Sequence, residues 1–295
     1  MNAPIAPGAV RDIAAGQRIR NAMTIDVEDY FQVSAFAPHI ARDSWPTREC
    51  RVEANIDRIL AILADANVHA TFFTLGWIAE RYPAMVKRIV AGGHELASHG
   101  YGHLRASDQD RAEFMDDISS SKAILEDLGG QAVLGYRAPS FSIGPGNLWA
   151  LESLHEAGYR YSSSIYPIQH DHYGMPDAPR FAWHPNGDAG LLEVPITTVR
   201  LMQRNLPAGG GGYFRLLPYA LSRWLMRQVN DNDGQPAIFY FHPWEIDPGQ
   251  PRPDGIGLKT RFRHYVNLER MDGRIQALTR DFAWDRMDRI FLGNS

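Results

Sequence analysis

Glu95-Leu96-Ala97-Ser98-His99-Gly100-Tyr101-Gly102-His103 decides how this chain is read: a short apolar run delivers two histidines four residues apart. Neutral imidazoles offer lone pairs to a divalent ion, and this spacing lets two of them converge where the backbone coils into a turn. The glycines at 100 and 102 favour a tight loop over a straight helix. Taken alone the pair is weak, since 11 histidines in 295 residues give about 0.4 such spacings by chance. Two other segments end in the same manner. An apolar run from Asn21 finishes in the acidic cluster Asp26-Val27-Glu28-Asp29, and Ala237-Ile238-Phe239-Tyr240-Phe241 finishes in His242. Strands that each end in a metal-ligating or proton-transferring side chain are what an α/β barrel supplies, because such barrels gather their sites at strand C-termini.

Strand-like and helix-like segments alternate around these three runs. Val68 to Leu75, Ala132 to Tyr136, Tyr159 to Ile165 and Leu191 to Thr198 read as further strands. Helical periodicity starts near Thr47, a candidate N-cap, and recurs over Trp77 to Val90 with a break at Pro83. Further helices are expected over Ser107 to Leu128, where Ser107 and Asp110 could cap, over Asn147 to Gly158 and over Pro218 to Val229. The alternation predicts a parallel sheet closed, or nearly closed, into a barrel. Residues 166–190 read as an ordered insertion, and Gly209 to Gly212 as a flexible surface loop without the Lys and Ser/Thr of a phosphate cradle. His94, at the far end of its strand, reads as structural.

A length of 295 residues with 44% hydrophobic content suits one large domain. Residues 1–20 read as a mobile tail, 21–247 as the catalytic domain and 248–295 as a C-terminal extension packed on the barrel. The net charge of -4, without a long basic run, argues against nucleic acid or an anionic membrane and for a neutral substrate. The single cysteine, Cys50, excludes an internal disulfide and a thiolate zinc site. No signal peptide and no transmembrane stretch is visible, so a cytoplasmic location is expected. Oligomeric state is not readable.

Catalytic zinc takes three protein ligands and leaves room for water, so His99 and His103 need one carboxylate from the acidic cluster. A second carboxylate beside the ion could serve as base, Arg137 from another strand end could hold that base, and His242 could protonate a leaving amine. Two imidazoles and a carboxylate suit Zn²⁺, and Co²⁺ or Ni²⁺ would fit the same set.

The ordered motifs Thr24-Ile25-Asp26-Val27-Glu28, Ser98-His99-Gly100-Tyr101-Gly102-His103, Arg137-Ala138-Pro139 and Phe241-His242 resemble the polysaccharide deacetylase family, also called the NodB-like domain or carbohydrate esterase family four. The stretches around Phe241 to Asp247 and Arg261 to Tyr265 resemble its exosortase and exopolysaccharide-associated branch. The resemblance implies a distorted (β/α) barrel, a divalent metal and removal of acetyl groups from N-acetylated hexosamines in a polysaccharide or its precursor. It implies Asp26 as base, Glu28, His99 and His103 as metal ligands with Asp29 an alternative to Glu28, Arg137 as the residue orienting the base, and His242 as general acid. Tyr136, Pro139, Phe141 and Trp244 are expected to line the substrate, and Trp183 and Tyr213 are further candidates for stacking on sugar rings. The aspartate that the family pairs with its acid histidine has no counterpart at Tyr161-Ser162-Ser163-Ser164, which leaves Glu193, Asp247 or Arg263 as partners for His242. Two rivals remain: a hydrolase of cyclic imides or ureides on the same fold, and a catalytically idle sugar-binding protein.

Overall fold

The computed structural model describes residues 18–170, 173–187 and 190–293; most of the N-terminal segment read as a tail lies outside the described residues. Strand β1 (Arg20–Val27) is buried along all but its first residue and forms the hub of the sheet. On one side its second half pairs with β2 (Thr71–Thr74), which continues to β3 (Glu95–Ser98), β4 (Gly135–Tyr136), β5 (Tyr161–Ser162) and β6 (Leu192–Glu193). On the other it pairs with β9 (Ile238–Phe241), and every one of these pairings is parallel. Such a sheet is covered on both faces, which is why β2 and β9 are buried at every residue and β9 is a continuous run of isoleucine and aromatic side chains.

Helices α1 (Val52–Asp65), α2 (Gly76–Arg81), α3 (Pro83–Ala91), α4 (Arg111–Gly129) and α5 (Trp149–Glu156) connect the first five strands. The antiparallel hairpin β7 (Thr198–Leu201) and β8 (Arg204–Pro207) stands apart from the main sheet, followed by α6 (Gly211–Leu216) and α7 (Tyr219–Arg227). Isoleucine, leucine and valine side chains of α1 and α3 bury against Met23, Ile25, Phe72 and Phe239, each worth roughly 1.5–3 kcal/mol. The result is a distorted barrel, as the sequence implies. Its gap between β6 and β9 is filled by backbone from residues 196–210: Ile238 N donates to Thr197 Oγ1 at 2.6 Å and Tyr240 N to Gly209 O at 2.7 Å.

Four expectations change here. The glycine run is not a loose surface loop: a Cβ on Gly210 would lie 2.0 Å from Tyr240 O, so only glycine lets this backbone lie against β9, and α6 begins at Gly211. Thr47 does not cap α1. Asp29 does, from 22 residues upstream, its Oδ2 accepting from Arg51 N and Val52 N at 2.8 and 3.0 Å. Asp110 and Glu113 form the capping box of α4, so Ser107 is not its cap. Residues 248–293 do more than pack on the barrel: after α8 (Leu258–Tyr265) and α9 (Leu268–Asp281), β10 (Ala283–Asp285) enters the sheet parallel to the first residues of β1.

Candidate metal and proton-transfer site

The parallel register brings the reactive side chains to one end. His99 N donates to Thr74 O and Arg137 N to Ser98 O, so the ladder continues one residue past β3 and β4 and sets both residues at the rim beside the end of β1. Asp26, Glu28 and His99 are 2% exposed and His103 7%, which places four ionisable groups in one water-poor cluster.

Candidate ligand atoms of Glu28, His99 and His103 lie within 4.8 Å of one another. His99 Nδ1 donates to the carbonyl of Arg137 at 2.8 Å, which leaves Nε2 as the lone-pair nitrogen. His103 Nε2 is 2.8 Å from Glu28 Oε2, within reach of a direct hydrogen bond or of a shared cation. Together with His99 these two buried atoms form a set of donors suited to one divalent cation. Burial works to raise the Glu28 pKa, but His103, His242 and His99 hold it well below the carboxylate range; burial is the main cause that lowers His99 to about 4. Trp244 Nε1 donates to Glu28 Oε1 at 3.1 Å.

The Gly100–His103 loop is built to present the second imidazole. His103 has φ +55° and Gly100 φ +76°, where a Cβ would meet Asp117 Oδ2 at 2.7 Å. Asp117 accepts from Tyr101 N at 3.1 Å, Arg42 donates to the carbonyls of Gly102 and His103, and Ser34 Oγ approaches His103 Nδ1 at 3.5 Å. Sequence reasoning missed these holders, which come from remote segments.

Asp26 and Arg137 form a buried pair, Nη1 to Oδ1 at 2.6 Å, and the same nitrogen donates to Thr24 Oγ1. Ser163 takes the remaining guanidinium donors through its carbonyl and hydroxyl, so Arg137 is fixed on both sides. Asp26 Oδ2 is thereby left toward His242, whose Nε2 lies 3.9 Å away and 3.6 Å from Glu28 Oε1. His242 Nδ1 donates to Glu245 Oε1 at 2.8 Å, and Arg215 Nε donates to Glu245 Oε2 at 2.6 Å. Burial works to lower the His242 pKa, but the Glu245 bond and the charges of Glu28 and Asp26 raise it to about 9.

Glu245 therefore stands where Glu193, Asp247 or Arg263 were considered. Glu193 accepts from Ser164 N and Ile165 N, Asp247 pairs with Arg51, and Arg263 contributes its carbonyl to Arg215. The signal was present in His242-Pro243-Trp244-Glu245, a capping-box spacing with proline at the first helical position. Arg215, 30 residues away, had no local signal.

The expected substrate contacts fare differently. Tyr136 is fully buried in the apolar core against Phe114 and Tyr159, so it cannot touch a ligand. Trp244 is 5% exposed, with its ring stacked on His242 and His264, and positions Glu28 without offering a free face. Pro139 is buried at the start of a short turn in which Ser140 and Phe141 both have positive φ. Phe141 packs edge-on against Tyr166 and Tyr240 beside Arg137. Asp29 is occupied as a cap and lies outside the ligand cluster.

Known proteins resemble this chain in sequence and in fold. Over 96 residues the chain is 38% identical to a peptidoglycan-N-acetylglucosamine deacetylase of Bacillus cereus, a stretch covering 32% of this chain and 35% of that one; the match thus spans about a third of the relative's length. A crystal structure from Mycobacterium smegmatis described as a polysaccharide deacetylase superposes with a TM-score of 0.64 at 20% identity, covering 97% and 93% of the two chains. The Puue allantoinase superposes at 0.59 with 16% identity, covering 98% and 91%. Both share the fold. Residues 163–292, which include His242, Glu245 and Arg215, match a domain of unknown function, DUF3473. Residues 43–162, which include His99, His103 and Arg137, match the polysaccharide deacetylase family.

Proposed function

We propose that the protein is a metal-dependent deacetylase that hydrolyses the N-acetyl groups of an N-acetylhexosamine polymer or its precursor. The observation that carries this reading is the convergence of Glu28, His99 and His103 with the Arg137-held Asp26 on one side and the Glu245-held His242 on the other. A named relative acts on peptidoglycan N-acetylglucosamine, which supports the substrate class.

Glu28, His99 and His103 would hold the ion, which when bound supplies Lewis-acid polarisation of the acetamide and its attacking water. Asp26 takes the proton of the water through Oδ2 as the new C–O bond forms; Arg137 keeps Oδ1 occupied, so the free oxygen faces the reaction. His242 gives the Nε2 proton to the amine as the C–N bond breaks, its orientation fixed at Nδ1 by Glu245. Acetate and a free amine result. Among the N–H groups from 137 to 141, those of Arg137, Ala138 and Phe141 are taken by Ser98 O, Ser164 Oγ and Ala138 O, and proline has none. Ser140 N–H is the group left to stabilise negative charge on the acetyl oxygen.

The test is acetate release from N-acetylglucosamine oligomers, with metal content measured on the same sample. Burial of Asp26, Glu28 and His99 also suits a small molecule, so a cyclic ureide belongs in the same assay. Acetate release supports the proposal; ring opening of the ureide without acetate release replaces it.

A further inference from the structure

A second concavity lies apart from the catalytic cluster. Its volume is about 1120 Å³, at or beyond the upper end of the roughly 300–1,000 Å³ typical of ligand sites, so it has room for more than one sugar ring. One wall is the β7–β8 hairpin and the other is the segment 176–183. The walls are tied together. Arg180 donates to Thr198 O at 2.7 Å while pairing with Asp233, and Asn205 donates to Pro167 O at 2.9 Å. The cavity is therefore held in shape by cross-links between its two walls.

The lining chemistry is specific. Trp183 and Tyr213 supply aromatic rings, and Trp183 Nε1 is buried with no acceptor among the described residues. Gln169 and Gln235 add amide donors and acceptors. Because Arg180 is offset by Asp233, the remaining lining charges are Arg200 and Arg204 against Asp177. Flat apolar faces bordered by amide and guanidinium donors match pyranose rings, which present C–H faces and hydroxyl edges. One net positive charge is too little for a nucleic-acid backbone. The cavity is also connected to the catalytic site: Ile168, one of its lining residues, shares an apolar cluster with Phe141 and Tyr240, and the Tyr240 ring meets that of His242 at 5.9 Å.

We propose that this cavity is a second carbohydrate-binding site, one that retains the polymer while an acetamido group occupies the catalytic cluster. The choice of glycan rests on the deacetylase reading above. Retention at a separate site raises the effective concentration of acetyl groups at the cluster without any new contact there.

The probe is the β-1,4-linked pentamer of N-acetylglucosamine, titrated calorimetrically into the full chain carrying Asp26→Asn so that turnover does not interfere. Arg204→Glu is exposed on the hairpin and should leave the fold intact; Tyr213→Ala removes a ring from another element. Each variant should weaken pentamer binding about tenfold, the loss expected for one hydrogen bond to a charged group or one stacked ring. In the chain with Asp26 intact, Arg204→Glu should raise KM for the pentamer and leave kcat for the dimer unchanged. Pentamer affinity that ignores both substitutions, or no pentamer binding at all, overturns the proposal. Arg204-dependent binding without acetate release upholds this site and rejects the catalytic reading; acetate release with Arg204-independent affinity does the reverse.

Discussion

Glu28 and Glu95 sit at opposite ends of the same sheet, both almost wholly buried, and they carry opposite protonation tendencies. Glu28, one residue past β1, is surrounded by three imidazoles and is held well below the carboxylate range despite its burial. Glu95, at the start of β3, meets only neutral donors: Thr71 Oγ1 at 2.6 Å, Tyr161 Oη at 3.0 Å and Asp288 N at 3.1 Å. Burial, with Asp288 nearby, raises its pKa to about 7. Burial does not by itself make a carboxylate reactive. The partners decide: three imidazoles keep the one carboxylate charged, while the other, favoured in its protonated form, accepts the Asp288 N–H that holds the C-terminal segment against the sheet.

That contrast can be broken by substitution. Asp26→Asn removes the proposed base but leaves the three candidate ligands, so turnover should fall by roughly 10²–10⁴ with metal content unchanged; loss of metal together with activity would mean that Asp26 is itself a ligand. Glu245→Gln removes the charge that orients His242 and should lower kcat at least tenfold with little change in KM, read by steady-state kinetics. At the other end, Glu95 has a folded pKa above its unfolded value of 4.5. Its contribution to stability is therefore fully present below about pH 4.5 and is lost as pH rises through about 7. Chemical denaturation across pH 5 to 8 should show stability falling by about 2 kcal/mol, and Glu95→Gln should flatten that slope without touching acetate release. The smallest effect is expected from Asp29→Ala, which removes the long-range cap of α1: stability should drop by about 1 kcal/mol with metal content retained. Metal loss in that variant would reopen Asp29 as the carboxylate ligand.

The parts of this architecture visible in sequence are those written in local patterns. Apolar runs ending in Asp26, His99, Arg137 and His242 state both the strand and its polar terminus within a few residues, so the barrel and most of the cluster can be read directly. What the sequence hides is non-local. The strand Ala283–Asp285 is three residues of mixed polarity, and its pairing with β1 depends on the preceding helix α9 carrying it back across the molecule. Asp29 looks like a third acid in an acidic cluster until its oxygens are seen on the backbone of residues 51 and 52. Tyr136 and Trp244 have the chemistry of sugar-binding rings, and only their burial shows that one is core and the other holds Glu28. Gly209 and Gly210 look flexible because glycine is permissive; here the missing Cβ is needed for contact with β9. Glu245 is the exception, a non-obvious partner of His242 that is nonetheless legible at a capping-box spacing of three.

The most direct test is to measure bound metal in three full-length proteins after equilibration with one equivalent of Zn²⁺ and removal of the free ion. Wild type and Asp26→Asn should each retain close to one ion per chain, and His99→Ala should retain almost none. Stoichiometric metal in the His99→Ala protein would contradict the assignment of Glu28, His99 and His103 as the ligand set, and with it the reaction proposed around them.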